Sequence, residues 1–234
     1  MNLGSVRLFA LVAVFVSGCG TAATPDSPVP AAPPAVVQRD LLTLLPDDAA
    51  FPAYLAPDSR PQLLRLDDAA KSSVWNGFGT LIPAGEYEPA GCTPVRTPDM
   101  APYAGSSFAW KANSFGSTSR TSKPSEVVLI GTTIARGEVD EAAVRALTTE
   151  CGIVRSGGDE YARYTIMPDP KVSSAQVLAI KSEVGLKGGI FRFTYVAEVG
   201  EYVVTTYAIC TASTTCEKEM SPVFQNAVAK AESA

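Results

Sequence analysis

The period of apolar and polar positions changes several times along this chain, and each change marks an element. Leu8 to Val16 is an unbroken apolar run. From Thr21 to Ala35 the pattern is proline, alanine and small polar residues, with no periodicity at all. Structured patterning begins at Asp40. There Asp40-Leu-Leu-Thr-Leu-Leu45 and Pro46-Asp-Asp-Ala-Ala-Phe51 predict a short helical segment with leucines on one side. Arg60 to Asp68 predicts a first strand, and Lys71 to Pro98, rich in glycine and proline, predicts mostly loop. Ser106 to Asn113 alternates as a strand with Phe108 and Trp110 on one face, and Glu126 to Ala135 is apolar and β-branched.

A helix follows. Asp140 is its N-cap, Val139, Ala143, Leu147 and Cys151 recur every four residues, and Gly152 stands just past its end. Glu160 to Met167 and Val177 to Val184 predict two more strands. Ile190–Ala197 and Tyr202–Ile209, separated by Glu198-Val-Gly-Glu201, predict a hairpin, with Phe191, Phe193 and Tyr195 on one face and Ile190, Arg192 and Thr194 on the other. Ser221-Pro222 marks the start of a closing helix with Phe224, Ala227, Val228 and Ala231 on its apolar face. Two helices and about six strands predict an α+β fold, a curved antiparallel sheet with helices packed on one face.

The apolar run at the start has a separate meaning. It is shorter than the roughly 20 residues needed to span a bilayer, and Arg7 precedes it, which suits a signal peptide. It ends in Val16-Ser17-Gly18-Cys19, which resembles a bacterial lipobox. That resemblance implies a signal peptide over residues 1–18, a diacylglycerol thioether on Cys19, and a protein held to the extracytoplasmic face of the cell membrane. Gly20 to Gln38 then reads as a tether of roughly 50 Å or less, and residues 39–234 as a single extracytoplasmic domain.

Charge narrows the classes. The chain holds 19 basic and 24 acidic residues, a formal charge of −5. No stretch interleaves lysine and arginine with aromatics, so nucleic-acid binding has no electrostatic support. Membrane attachment is therefore expected through the lipid alone. The chain has no histidine. That excludes histidine-containing triads and histidine-ligated metal sites.

Setting Cys19 aside leaves Cys92, Cys151, Cys210 and Cys216, an even count in an exported chain and the expected basis of two disulfides. Cys210 and Cys216 enclose only Thr-Ala-Ser-Thr-Thr, which favours a local bridge and pairs Cys92 with Cys151. There is no CxxC pair, no GxSxG, no SxxK, no phosphate-binding loop and no acidic EF-hand loop. No catalytic residue, metal site or cofactor is assigned. The adjacent carboxylates Asp47-Asp48 and Asp67-Asp68 read as solvated turn acids. Phe191, Phe193 and Tyr195 read as core, or as one wall of a ligand cleft between sheet and helix. In that cleft Arg163 or Arg192 is the polar handle and the segment around Trp75 the rim.

With the lipobox, the proline-alanine tether, Leu45-Pro46, Pro89-Ala-Gly-Cys92 and the order of the four cysteines, the chain resembles actinobacterial envelope lipoproteins. In particular it is similar to those related to the extracellular sensor domain of the mycobacterial kinase PknH, or to a neighbouring family of mycobacterial lipoproteins. The resemblance implies an α+β sensor-like domain with a cleft, two disulfides and an undefined ligand. The expected role is a lipid-anchored, non-catalytic envelope module binding a small ligand, a glycan or a protein partner. An envelope lipid carrier and a carboxylate-dependent hydrolase are the alternatives.

Overall fold

The computed structural model describes residues 40–57, 60–65, 87–92, 98, 107–114, 127–184, 190–211 and 213–234. The signal peptide at 1–18, Cys19, the tether, Asp67-Asp68 and Trp75 lie outside the described residues. Those described belong to one unit, residues 34–234.

Residues 40–43 are helical and Asp48–Ala50 form a 3-10 turn. Among the described residues ten strands follow: β1 (Ala56–Pro57), β2 (Gln62–Arg65), β3 (Tyr87–Glu88), β4 (Ser107–Ser114), β5 (Val127–Arg136), β6 (Ile153–Ser156), β7 (Asp159–Met167), β8 (Val177–Val184), β9 (Ile190–Val199) and β10 (Tyr202–Cys210). Helix α1 (Glu141–Glu150) lies between β5 and β6, and helix α2 (Ser213–Glu232) follows β10. All ten strands join one antiparallel sheet in the order β1-β4-β5-β10-β9-β8-β7-β6-β3, with β2 also paired to β4.

The protein is thus mostly β. This corrects the expectation of an α+β fold with about six strands. The strands that patterning missed are β1, β3 and β6, each of two to four residues, which is too short to establish a period of two.

The sheet has a reason to be so broad. β10 reads Tyr-Val-Val-Thr-Thr-Tyr-Ala-Ile-Cys, with no charged residue, and every one of its residues is buried. A strand with no exposed face suits the middle of a sheet covered on both sides. On one side, cross-strand neighbours Ala109, Ile134, Val204, Ala197 and Val177 form a transverse row. They belong to the main core with Met220, Val223, Phe224, Ala227 and Val228 of α2. Tyr195 meets the Phe224 ring edge-on at 5.6 Å between centroids.

Residues 40–55 cover the rest of that core. Lys230 of α2 donates to the Leu45 carbonyl (2.9 Å) and pairs with Asp47 (2.7 Å). Lys111 of β4 donates to the Pro46 carbonyl (2.8 Å).

Helix α1 lies against the opposite face, so helices flank both faces rather than one. Its packing is slight: among its residues Val144 is buried, while Ala143 and Leu147 are half-exposed. The closing helix also differs from expectation. It starts at Ser213, and Ser221-Pro222 lie inside it. Proline in a helix interior costs about 3 kcal/mol, but buried Cys216 and Met220 lie on the same apolar stripe as Phe224, so packing carries the helix through.

Two disulfides complete the scaffold. Cys92 is bridged to Cys151 and Cys210 to Cys216, the pairing that cysteine spacing favours. The first sits in a separate small core with Val154, Tyr161 and Ala162, at the end of the sheet formed by β3, β6 and β7.

Candidate functional site

The α1 face of the sheet carries two adjoining clefts built by three separate segments. Asp140 caps α1 by accepting the Ala143 N–H (2.8 Å), and Glu141 is bonded to Arg145 one turn on (2.9 Å). Glu198, near the end of β9, accepts the Val139 N–H and thereby ties the helix start to the sheet. Between them is a cleft of about 350 Å³ lined by Val139, Glu141, Gln176, Leu178, Val196 and Glu198. A second, of about 330 Å³, shares Glu141, Gln176 and Leu178 and extends to Arg145, Ile166 and Asp169. The floor is aliphatic and the rim carboxylate-rich. Among the described residues, no aromatic ring lines either cleft.

The loop between β7 and β8 closes one side. Asp169 accepts both the backbone N–H and the ammonium of Lys171 (2.8 Å each), and Lys171 takes a left-handed φ of 55°. Those bonds hold the Asp169 carboxyl below the usual carboxylate range. Gln225 donates to the Val172 carbonyl (2.6 Å), which fastens the same loop to α2.

Beside the clefts, the α1 face continues as buried polar rows. Register places Thr133, Thr205 and Val196 side by side, and Gly131, Tyr207 and Thr194 in the next row. Trp110 donates to the Tyr207 hydroxyl at 2.9 Å. The Arg192 guanidinium lies over the Tyr207 ring at 4.9 Å. Thr194 and Thr205 are buried with hydroxyls that meet no hydrogen-bond partner among the described residues.

Arg163 and Arg192 do not come together. Arg192 is buried on the α1 face. Arg163 is exposed and held by Glu160 in a two-pronged pair (2.9 and 3.0 Å), which lowers the Glu160 pKa. Of the Phe191, Phe193 and Tyr195 stripe, Phe193 and Tyr195 are core and Phe191 packs against that core. Asp47 and Asp48 are exposed acids, but they turn to different cations, Lys230 and Lys111. The cleft residues Glu141, Gln176, Leu178, Val196 and Glu198 had no sequence signal, because no local motif brings three distant segments together.

One group of potential metal ligands lies within ligand spacing among the described residues, namely Cys92, Glu150 and Cys151. Both sulfurs are in the disulfide, so neither is available as a thiolate. Among the described residues, the carboxylates with perturbed titration, Asp47, Glu160 and Asp169, are all pushed down by a neighbouring cation. A general acid working near neutrality needs the opposite shift.

Comparison with protein-family models and with curated proteins gives no match. Among solved structures, the extracellular domain of PknH from Mycobacterium tuberculosis is similar at a TM-score of 0.47 and 9% identity. The match covers 84% of this chain and 97% of that one. No helix among the described residues is long and apolar enough to cross a membrane.

Proposed function

We propose that this protein is an exported, lipid-anchored, non-catalytic module of the cell envelope that holds a small ligand, a glycan or a protein partner. The observation that carries this reading is the pair of disulfides, whose four sulfurs belong to fully buried residues. Such bridges form and persist in oxidising compartments outside the cytoplasm. They agree with the signal-like run and the lipobox-like Val16-Ser17-Gly18-Cys19.

The non-catalytic part rests on how the acids are used. In the clefts, Glu141, Asp169 and Glu198 each already hold a neighbouring cation or backbone N–H. The chain also offers no histidine to act as base. A lipid carrier needs a continuous apolar cavity; the two clefts on the α1 face are each about 350 Å³ or less and rimmed by charge.

The test is native mass spectrometry of the protein extracted from its own envelope. A co-purifying small molecule or protein supports the reading; a bare chain with no enriched partner opposes it.

A further inference from the structure

We propose that residues 40–55 form a releasable strap, which lifts off as one unit while the sheet stays folded and uncovers an apolar face between α2 and β4. The inference goes beyond the binding-module reading and does not depend on it.

The strap adds no strand to the sheet. It holds the helical residues 40–43 and the 3-10 turn Asp48–Ala50, and the ladder begins only at Ala56. Its backbone bonds close on itself. The N–H of Leu44 goes to the Leu41 carbonyl, Ala50 to Asp47, Phe51 to Asp48 and Leu55 to Pro52. Turns of that kind travel with the segment, so lifting it leaves the ladder whole.

Polar ties to β4 and α2 gather at four consecutive residues. Lys230 of α2 reaches the Leu45 carbonyl and Asp47, and Lys111 of β4 reaches the Pro46 carbonyl and Asp48. The Asn226 side chain accepts the Asp47 N–H at 3.0 Å. The two lysines come from different elements and clamp the strap near its middle. The carboxylate side of the clamp is open to water, with the Asp47 side chain 61% exposed and that of Asp48 72%. Ion pairs so exposed hold weakly.

Apolar packing closes the strap. Leu41, Leu44, Leu45, Phe51 and Leu55 are all buried and belong to the main core. Release surrenders these five side chains and one clamp, whereas unfolding of the sheet surrenders the whole core. The smaller loss makes release the more frequent opening. The segment that fits the uncovered face is the strap itself, so release is reversible.

Position gives release a use. The strap directly follows the segment that sequence assigns to the tether, Gly20 to Gln38. A pull from a membrane anchor therefore reaches the strap before it reaches any strand.

The experiment is native-state hydrogen exchange of the full-length chain in detergent micelles, read by NMR at urea concentrations below the unfolding transition. The Leu44, Asp47, Ala50, Phe51 and Leu55 amides should share one urea-dependent opening. It should be more frequent than the opening that exposes the β10 amides, with a shallower urea slope because less surface is uncovered. Two substitutions separate release from global unfolding. Tyr207→Phe, in the sheet, should speed exchange at β10 about 5- to 150-fold and leave the strap amides unchanged, because the lifted state keeps that sheet. Lys111→Met, in the clamp, should speed both, because every opening breaks the clamp.

Strap amides that exchange only at the β10 rate, or that quicken with Tyr207→Phe by the same factor, overturn the proposal. So does exchange residue by residue without urea dependence, which is fraying. The lipid anchor is decided separately by intact mass, so its failure leaves the exchange result standing.

Discussion

Trp110 and Tyr207 stand on strands that do not pair with each other, β4 and β10, and yet the Trp110 indole N–H donates to the Tyr207 hydroxyl at 2.9 Å. The bond crosses β5 at Gly131, the cross-strand partner of Tyr207. A Cβ at residue 131 would lie 2.3 Å from the Tyr207 ring carbon Cζ. Glycine is required there because an aromatic side chain occupies the space above it. Gly131→Ala should therefore destabilise the protein by about 3 kcal/mol, as overpacking does. Tyr207→Phe, which strands a buried indole donor, should cost about 1–3 kcal/mol. Urea unfolding followed by far-ultraviolet circular dichroism checks both.

The segment after the tether is held by lysines. Lys111 is only 8% exposed, donates to the Pro46 carbonyl, pairs with Asp48 at 2.7 Å and lies 5.3 Å from the Phe51 ring centre. Lys111→Met keeps much of the buried stem but strands the Pro46 carbonyl. The expected loss is about 1–3 kcal/mol, with hydrogen exchange rising first over residues 44–55.

Asp47 adds an acid-sensitive part to the same latch. Hydrogen bonding to Lys230 holds its pKa below the ordinary 3.8. A carboxylate with a depressed folded pKa stabilises the fold above its unfolded pKa and loses that contribution as pH falls through the folded value. Unfolding should thus ease below about pH 4, and Lys230→Gln should flatten that part of the pH–stability curve.

At the alkaline end the tyrosines govern. Burial first, then the Glu217 charge, pushes Tyr195 up to about 12. Burial and Tyr87 do the same for Tyr161, also to about 12. Neutral phenols are favoured in the fold, so their contribution is intact below pH 10 and is lost as pH rises toward 12. Phenolate absorbance should show these two rings ionising late, together with unfolding.

Pro222 sits on the exposed side of α2, where Ser221 turns back to the Glu217 carbonyl at 2.6 Å. Pro222→Ala restores a backbone donor and should stabilise the protein by about 1–3 kcal/mol, read as a higher midpoint of thermal unfolding.

The long strands were legible because β4, β5 and β7–β10 each run for eight or more residues with a clear face or a continuous apolar run. β6 carried a signal that passed unused. Gly157-Gly158 after Ile153–Ser156 has φ of 62° and 88°, the paired positive values of a two-residue hairpin turn. The start of α2 was hidden because local chemistry at Pro222 says begin, while the buried stripe from Cys216 to Ala231 says continue. Burial of that stripe outweighs one proline. The clefts were illegible for a different reason: Val139, Gln176 and Val196 are distant in sequence and meet only through the β8–β9 register and the seat of α1. Arg163 and Arg192 both alternate properly along their strands, but periodicity gives a residue's face only within its own strand. It could not say that the two would lie on opposite sides of one sheet.

The most direct measurement is the intact mass of the protein taken from the membrane fraction, recorded with and without reduction under denaturing alkylation. The account predicts a chain that begins at Cys19, carries a diacylglyceryl modification there, and shows four alkylatable thiols only after reduction. A chain that retains residues 1–18, or begins elsewhere without lipid, or alkylates at Cys92, Cys151, Cys210 or Cys216 before reduction, would contradict it.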